Sequence, residues 1–172
     1  MNSDPVLCVR CAAHQQTCCQ TSEIAVTLGD VRRISQHTGQ SDICEFRVPN
    51  DPVYLHHPDD PIWLETVIQP DGTRRVLRRK ENGDCQFLGP GGCTLPIEVR
   101  PLICRIYPYD YNEQGLVQRL ASGCPLELLR PKESLLTALD MQLHDAQVWH
   151  EQLYNEIREE PHFASKHFSL EF

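Results

Sequence analysis

Apolar and polar residues alternate with a readable period in only a few parts of the chain. The strongest signal lies near the C-terminus, where Leu136, Leu139, Leu143, Ala146, Trp149, Leu153 and Ile157 recur at spacings of three or four. That pattern predicts an amphipathic helix of roughly 25 residues, with Pro131 just before it and Pro161 ending it. A second helix is expected after Thr27, a good capping residue, with Asp30 in its first turn at the positive end of the dipole. Val31 and Ile34 supply its inner face, and Gly39 is its stop.

Between the helices the pattern turns β-like. Residues 63–68 alternate, Pro70-Asp71-Gly72 is a turn, and residues 75–80 are expected to return as the hairpin partner. Residues 107–111 and 116–120 flank Asn112 to Gly115 as a second hairpin. Residues 85–88 and 93–95 flank Gly89-Pro90-Gly91-Gly92, a tight reversal, and Arg100-Pro101 opens a short turn or helix bearing Cys104. Residues 1–23 carry no helical or strand period. Residues 49–61, with Pro49, Pro52, Pro58 and Pro61, read as an irregular loop.

Composition narrows the class. At 172 residues, 40% hydrophobic and 23% charged, the chain has the make-up of one globular domain, which excludes disorder throughout. A net charge of −8 argues against a broad nucleic-acid footprint. The basic run from Arg74 to Lys80 is explained as well by a solvated hairpin as by phosphate binding. No apolar run reaches the roughly 18–20 residues of a membrane span. The first residues, Met1-Asn2-Ser3-Asp4-Pro5, lack the basic and apolar regions of a secretory signal, so a cytoplasmic location and no membrane partner are expected. No phosphate-cradling glycine motif occurs.

Cysteine is the abnormal quantity. Nine cysteines are an odd number, which rules out complete pairing within the chain. In a reducing compartment clustered thiols point to metal binding or redox work. Apart from Cys44, which reads as a small buried apolar residue, they fall into two sets of four. The first is Cys8-x2-Cys11-x6-Cys18-Cys19, and the second is Cys85-x7-Cys93-x10-Cys104-x19-Cys124. Four thiolates hold one tetrahedral zinc ion or one iron–sulfur cluster, so eight serve two centres, or one centre with spare thiols. Only Cys8 and Cys11 have zinc-knuckle spacing, and vicinal Cys18 and Cys19 point in different directions in extended backbone. Taking one ligand from each of four turns suits a cluster wrapped by the fold, which places iron–sulfur slightly ahead of zinc. His14 is the best replacement ligand, although a surface role fits it better. His56 and His57, beside Asp59 and Asp60, read as ordinary loop residues. His144 and His150 are six apart, the wrong spacing for a metal pair on one helical face.

The ordered combination of Cys8-x2-Cys11-x6-Cys18-Cys19, Ile24-Ala25-Val26-Thr27, Asp30-Val31-x-Arg33-Ile34, Cys85-x-Phe87-Leu88, Cys93, Arg100-Pro101-x2-Cys104-Arg105-x-Tyr107-Pro108 and Cys124-Pro125 resembles the YkgJ-type cysteine-cluster proteins. That family is described as zinc- or iron-chelating. The resemblance implies that the eight clustered cysteines are the ligands; the six-residue gap before Cys18 and the extra Cys44 depart from its pattern. Kinship with the cysteine-rich part of flagellin lysine-N-methylases is also implied, and with it an enzyme alternative. Arg100 and Arg105 bracket Cys104 and are expected to offset the negative charge of a thiolate-bound centre. Tyr107 and Tyr109 read as packing residues.

The expected fold is therefore α+β: a small, irregular, metal-organised domain with short β-hairpins and a long C-terminal amphipathic helix. Residues 1–130 form the cysteine-cluster domain, and residues 131–172 a helix and tail packed on it. The expected function is metal binding, by an iron–sulfur cluster or Zn2+, in a redox or structural role. An enzyme, or an interaction module whose C-terminal helix docks a protein partner, are the alternatives.

Overall fold

The computed structural model describes residues 6–14, 17–56, 59–120 and 123–161. Its fold is α+β, with short two-stranded hairpins and a long C-terminal helix. The N-terminal stretch, which shows no period in sequence, holds two short helices, α1 (Leu7–His14) and α2 (Cys18–Thr21). Leu7 and Cys11, one turn apart, are the buried face of α1. Two positions are too few to register as a periodicity. α3 (Leu28–Thr38) begins and ends where its signals lie. Thr27 Oγ1 accepts from the Asp30 N–H (2.9 Å), and Asp30 Oδ2 accepts from the Thr27 N–H (3.1 Å), a reciprocal capping box. Gly39 closes the helix in the left-handed region at φ 72°.

The first expected hairpin is corrected. β1 (Cys44–Arg47) pairs antiparallel with β2 (Arg74–Leu77), and Ala25 bridges Val76 alongside. Residues 63–68 do not join this sheet; most of them form the end of α4 (Pro61–Thr66). Asp60 caps α4 by accepting from the Trp63 N–H (3.4 Å), and Pro61 occupies the first helical position, where its missing N–H costs nothing. A run of six residues is too short for alternation to outweigh that start signal.

β3 (Leu88–Gly89) and β4 (Gly92–Cys93) make the tight glycine reversal. α5 (Leu102–Ile106) carries Cys104, and β5 (Tyr109–Asn112) pairs with β6 (Gly115–Leu120) as expected. The single C-terminal helix of about 25 residues is corrected to two, α6 (Leu135–Ala138) and α7 (Leu143–Glu159). The chain breaks between them, where Asp140 adopts φ 54°, a conformation aspartate tolerates better than most residues. Leu136 and Trp149 still pack against the same cluster, which is why the apolar period crosses the break.

Two apolar clusters make the core. The first gathers Ala25, Trp63, Leu102, Ile106, Tyr109, Ala146, Leu153, Tyr154 and Ile157, with α7 lying across α5. The second gathers Val26, Ile34, Ile43, Leu77, Cys85, Phe87 and Leu95, with Cys19, Cys44 and Cys93 at its margin. A buried polar seam ties them together. Asp30 accepts from the Leu102 N–H (3.0 Å) and from Arg33 (2.7 Å), and Arg33 also donates to Glu156 on α7 (2.5 Å). Gly29 lies under this pair: a Cβ there would come within 2.3 Å of the Glu156 carboxylate.

Candidate metal centre

Local backbone structure aims the thiols. Cys18 and Cys19 are consecutive residues of α2, about 100° apart around its axis, yet their thiols are within hydrogen-bonding reach of each other. The Thr17–Gln20 capping box fixes the start of that helix, with the Thr17 N–H donating to Gln20 Oε1 (2.8 Å). Arg79 holds its end by donating to the carbonyls of Gln20 (3.0 Å) and Ser22. The Cys85 N–H donates to the Cys19 carbonyl (2.8 Å), and the Leu88 N–H donates to the Cys85 carbonyl (3.0 Å). Leu88 is the strand partner of Cys93. Cys19, Cys85 and Cys93 are thereby locked into one neighbourhood, and Cys104 reaches it from α5.

Cys8, Cys11 and Cys124 belong to an adjoining region that Cys18 borders. α1, carrying Cys8 and Cys11, lies against the turn Leu126–Leu128 that follows Cys124, and Arg10 donates to the Leu128 carbonyl (2.6 Å) and pairs with Glu133 (3.0 Å). The Cys124 thiol donates to the Tyr107 hydroxyl at 3.7 Å. Gly123 permits that approach, since a Cβ there would stand 2.6 Å from the same hydroxyl. Cys18 and Cys8 both act on Tyr107 from nearby, and together with burial and Cys124 they push its phenol well above the usual range.

Electrostatic couplings join thiols from distant segments. Burial, then Cys19, Cys85 and Cys93, push the Cys104 thiol far up. Burial, with Cys19 and Cys93, raises Cys85 to about 11, against opposition from the Phe87 N–H and Arg79. Burial raises Cys93 too, while the Leu95 N–H and Arg100 pull it down. Cys8 is exposed, yet the protein around its thiol, then Cys124 and Cys19, raise it to about 11. Burial is the main cause at Cys124 as well, with Cys11 adding to it. Cys19 is raised most by its hydrogen bond to Cys18 and then by burial.

These couplings run across the two sequence-ordered sets as well as within them: Cys19 acts on Cys85, Cys93 and Cys104 and also on Cys8, and Cys124 acts on Cys8. None of the nine cysteines is joined in a disulfide. Among the described residues no three cysteine, histidine, aspartate or glutamate side chains form a ready-made cage for an ion. The donors nevertheless suit a soft cation, since they are thiols rather than carboxylates.

The arginines divide their labour. Arg100 lowers the pKa of Cys8, Cys19 and Cys93, so its charge acts on both sets, and its Nε is anchored on the Leu95 carbonyl (2.8 Å). Arg105 is buried and donates to the carbonyls of Arg100 (2.7 Å) and Glu98 (2.8 Å), bracing the segment that presents Arg100. Arg79 and Tyr107 are contributors that sequence reasoning passed over. Arg79 was one charge in a basic run, and nothing in the sequence placed Tyr107 beside Cys124. Three other arginines of that run are engaged elsewhere: Arg74 with Glu23, Arg75 with Glu160 and Arg78 with Asp42.

The other candidates stand apart. Cys44 is half-buried on β1, raised by burial and lowered by Arg75 and Arg78. His14 is exposed at the end of α1, and His56 is exposed in its loop. His57 lies outside the described residues. Asp60 is buried and accepts from the Tyr154 hydroxyl (2.5 Å). His150 bonds the Asn112 carbonyl through Nε2 (2.7 Å), while His144 is exposed.

A family model described as "CxxCxxCC: putative zinc- or iron-chelating domain" matches residues 7–125. The chain belongs to the CxxCxxCC family. No curated protein matches it, and no solved structure does. Against the spacing in the family's name, this CxxCxxCC domain has six residues rather than two before Cys18. The additional four amount to about one helical turn, and Ala12 to His14 among them continue α1. Among the described residues no helix is long and apolar enough to cross a membrane.

Proposed function

We propose that this CxxCxxCC domain binds metal through Cys8, Cys11, Cys18, Cys19, Cys85, Cys93, Cys104 and Cys124, with an iron–sulfur cluster as the favoured occupant. The observation that carries the reading is that thiols from distant segments act on one another, Cys19 on Cys8, Cys85, Cys93 and Cys104, and Cys124 on Cys8, while no other thiol acts on Cys44. Family membership supports the chelating role, and the placement of Arg100 near sulfurs of both sets supports a centre of net negative charge. A bound cluster would supply electron transfer or structural cross-linking. The protein would supply thiolates, N–H donors to sulfur and positive charge nearby.

Zinc is the second reading, and one feature suits it as well as a cluster. The sulfurs of Cys85 and Cys93 each take a hydrogen bond from the N–H two residues on, at Phe87 and Leu95. Such turns orient a thiolate toward a single tetrahedral ion as well as toward a cluster. Anaerobic purification with elemental analysis and a visible spectrum separates the two. Iron with acid-labile sulfide and a brown colour supports the cluster, and colourless protein with zinc supports the ion. Cys104→Ser and Cys18→Ser are each expected to lower metal content and melting temperature; unchanged values for both variants would refute the ligand assignment.

A further inference from the structure

β1 forms the open edge of its sheet. β2 is bonded on its far side to residues 24–26: the Leu77 N–H donates to the Ile24 carbonyl (2.8 Å), and the Val26 N–H donates to the Arg75 carbonyl (3.1 Å). On the side of β1, the Arg78 N–H donates to the Ile43 carbonyl (2.9 Å). Backbone groups along an antiparallel ladder turn alternately to one neighbour and to the other. With Ile43 bonded to Arg78, Glu45 and Arg47 turn their backbone groups to β2, while Cys44 and Phe46 turn theirs outward. Among the described residues no protein hydrogen bond reaches those outward groups. Side chains alternate as well, Cys44 and Phe46 on one face of the sheet and Glu45 and Arg47 on the other. Phe46 is 49% exposed and Val48, just past the strand, 54%, so this edge carries apolar surface that its own chain leaves uncovered. Such an edge is a template for another strand unless something blunts it.

We propose that the edge of β1 is a self-pairing surface: a second copy of this chain adds its own β1 antiparallel, about a two-fold axis at Phe46, and the two sheets become one. Charge selects both the occupant and the register. Pairing through the outward groups allows few alignments. Cys44 opposite Phe46 of the second copy sets Glu45 against Glu45, and Phe46 opposite Val48 sets Arg47 against Arg47; like charges directly opposite are unfavourable. Phe46 opposite Phe46 instead sets Glu45 against Arg47, and by symmetry does so twice. These two pairs fall at the positions where no backbone bonds are exchanged and side chains approach most closely. The same register brings the two Phe46 rings together on one face and sets Cys44 opposite Val48. Within one chain Glu45 and Arg47 lie 3.5 Å apart and both are partly exposed, so each has room to turn to a partner across the edge. Pro49 ends the pairing segment, because it has no N–H to add to a ladder. The edge is short and each copy carries a net charge of −8, which makes the dimer weak and concentration-dependent rather than obligate. No thiol is used, so the proposal stands apart from the metal-binding reading.

Sedimentation of the full-length protein, kept anaerobic and reduced so that no intermolecular disulfide is counted, tests the pairing. The unaltered chain should pass reversibly from monomer to dimer as its concentration rises through the micromolar range. Glu45→Arg sets Arg against Arg across the edge, and Arg47→Glu sets Glu against Glu. Each should weaken dimerisation about tenfold or more, since two attractive contacts become repulsive at once. Mixing the two single variants sets opposite charges across the edge again, and a heterodimer of unaltered strength should form. The double variant Glu45→Arg with Arg47→Glu should likewise dimerise as the unaltered chain does; if a single variant fails to fold, this double variant decides. A protein that stays monomeric throughout the range overturns the proposal. So does a dimer that both single reversals leave intact, which would use another surface, and so does a loss that neither the mixture nor the double variant restores.

Discussion

At the scale of single residues, the fold holds several of its thiols neutral, Cys8 and Cys85 among them. Desolvation and neighbouring sulfurs raise Cys8 and Cys85 to about 11, against the roughly 8.5 of an unfolded cysteine. A group whose folded pKa is raised favours the fold in its protonated form. Its contribution is complete below the unfolded pKa and is lost as pH climbs through the folded one. The metal-free protein should therefore melt at a nearly constant temperature from pH 6 to 8. It should then lose stability between about pH 8.5 and 11 as the unfolded chain ionises first. Metal binding reverses the sign: ions displace protons from the same thiols, so affinity weakens on acidification. Calorimetric melting of both forms across this range checks the pair of trends. A metal-free melting temperature that rises above pH 9 would show that the thiols are not buried together as neutral groups.

At the scale of elements, α3 links cap, core and C-terminal helix through one side chain. Thr27 caps α3 and its hydroxyl also donates to Glu156 of α7, so Thr27→Ala removes two bonds at once. The expected loss is about 1–2 kcal/mol, the upper part of the range for an N-cap, and Thr27→Ser should recover most of it. Denaturant unfolding of the metal-loaded protein measures both. α3 was legible in the sequence because its start, its carboxylate and its glycine stop all act within a few residues of each other. The β5–β6 hairpin and the glycine reversal were legible for the same reason. β1–β2 was not, because its partners lie about thirty residues apart and a closer segment offered a plausible turn. The break at Asp140 was hidden because the apolar face continues across it. The spacing sets the eight cysteines apart from Cys44 but does not say which of them meet. α1 packs on both the Leu126–Leu128 turn and β4, contacts between distant segments that no local spacing foretells.

At the scale of the whole molecule, the two apolar clusters differ in what closes them. The cluster around Leu153 and Tyr154 is closed by α7, with Tyr154 bonded to buried Asp60 and no cysteine among its members. The cluster around Phe87 includes Cys85 and is bordered by Cys19 and Cys93, so a metal there cross-links its walls. Removing metal should accordingly loosen one half of the core more than the other. Both tryptophans, Trp63 and Trp149, belong to the half that α7 closes and serve as its reporters. At pH 7 the released thiols take up protons, so no repulsion between thiolates follows metal loss to drive global unfolding. On chelation, tryptophan emission should keep its wavelength, while amide protection falls in segments 17–27 and 77–104. The polar seam of Asp30, Arg33 and Glu156 is the route by which looseness could spread, since it joins α3 and α5 to α7. Arg33→Ala should therefore convert the partial response into a general one, with emission shifting to the red on chelation. A red shift of the same size in the unaltered protein would mean that the clusters stand or fall together, and that the metal organises the entire fold.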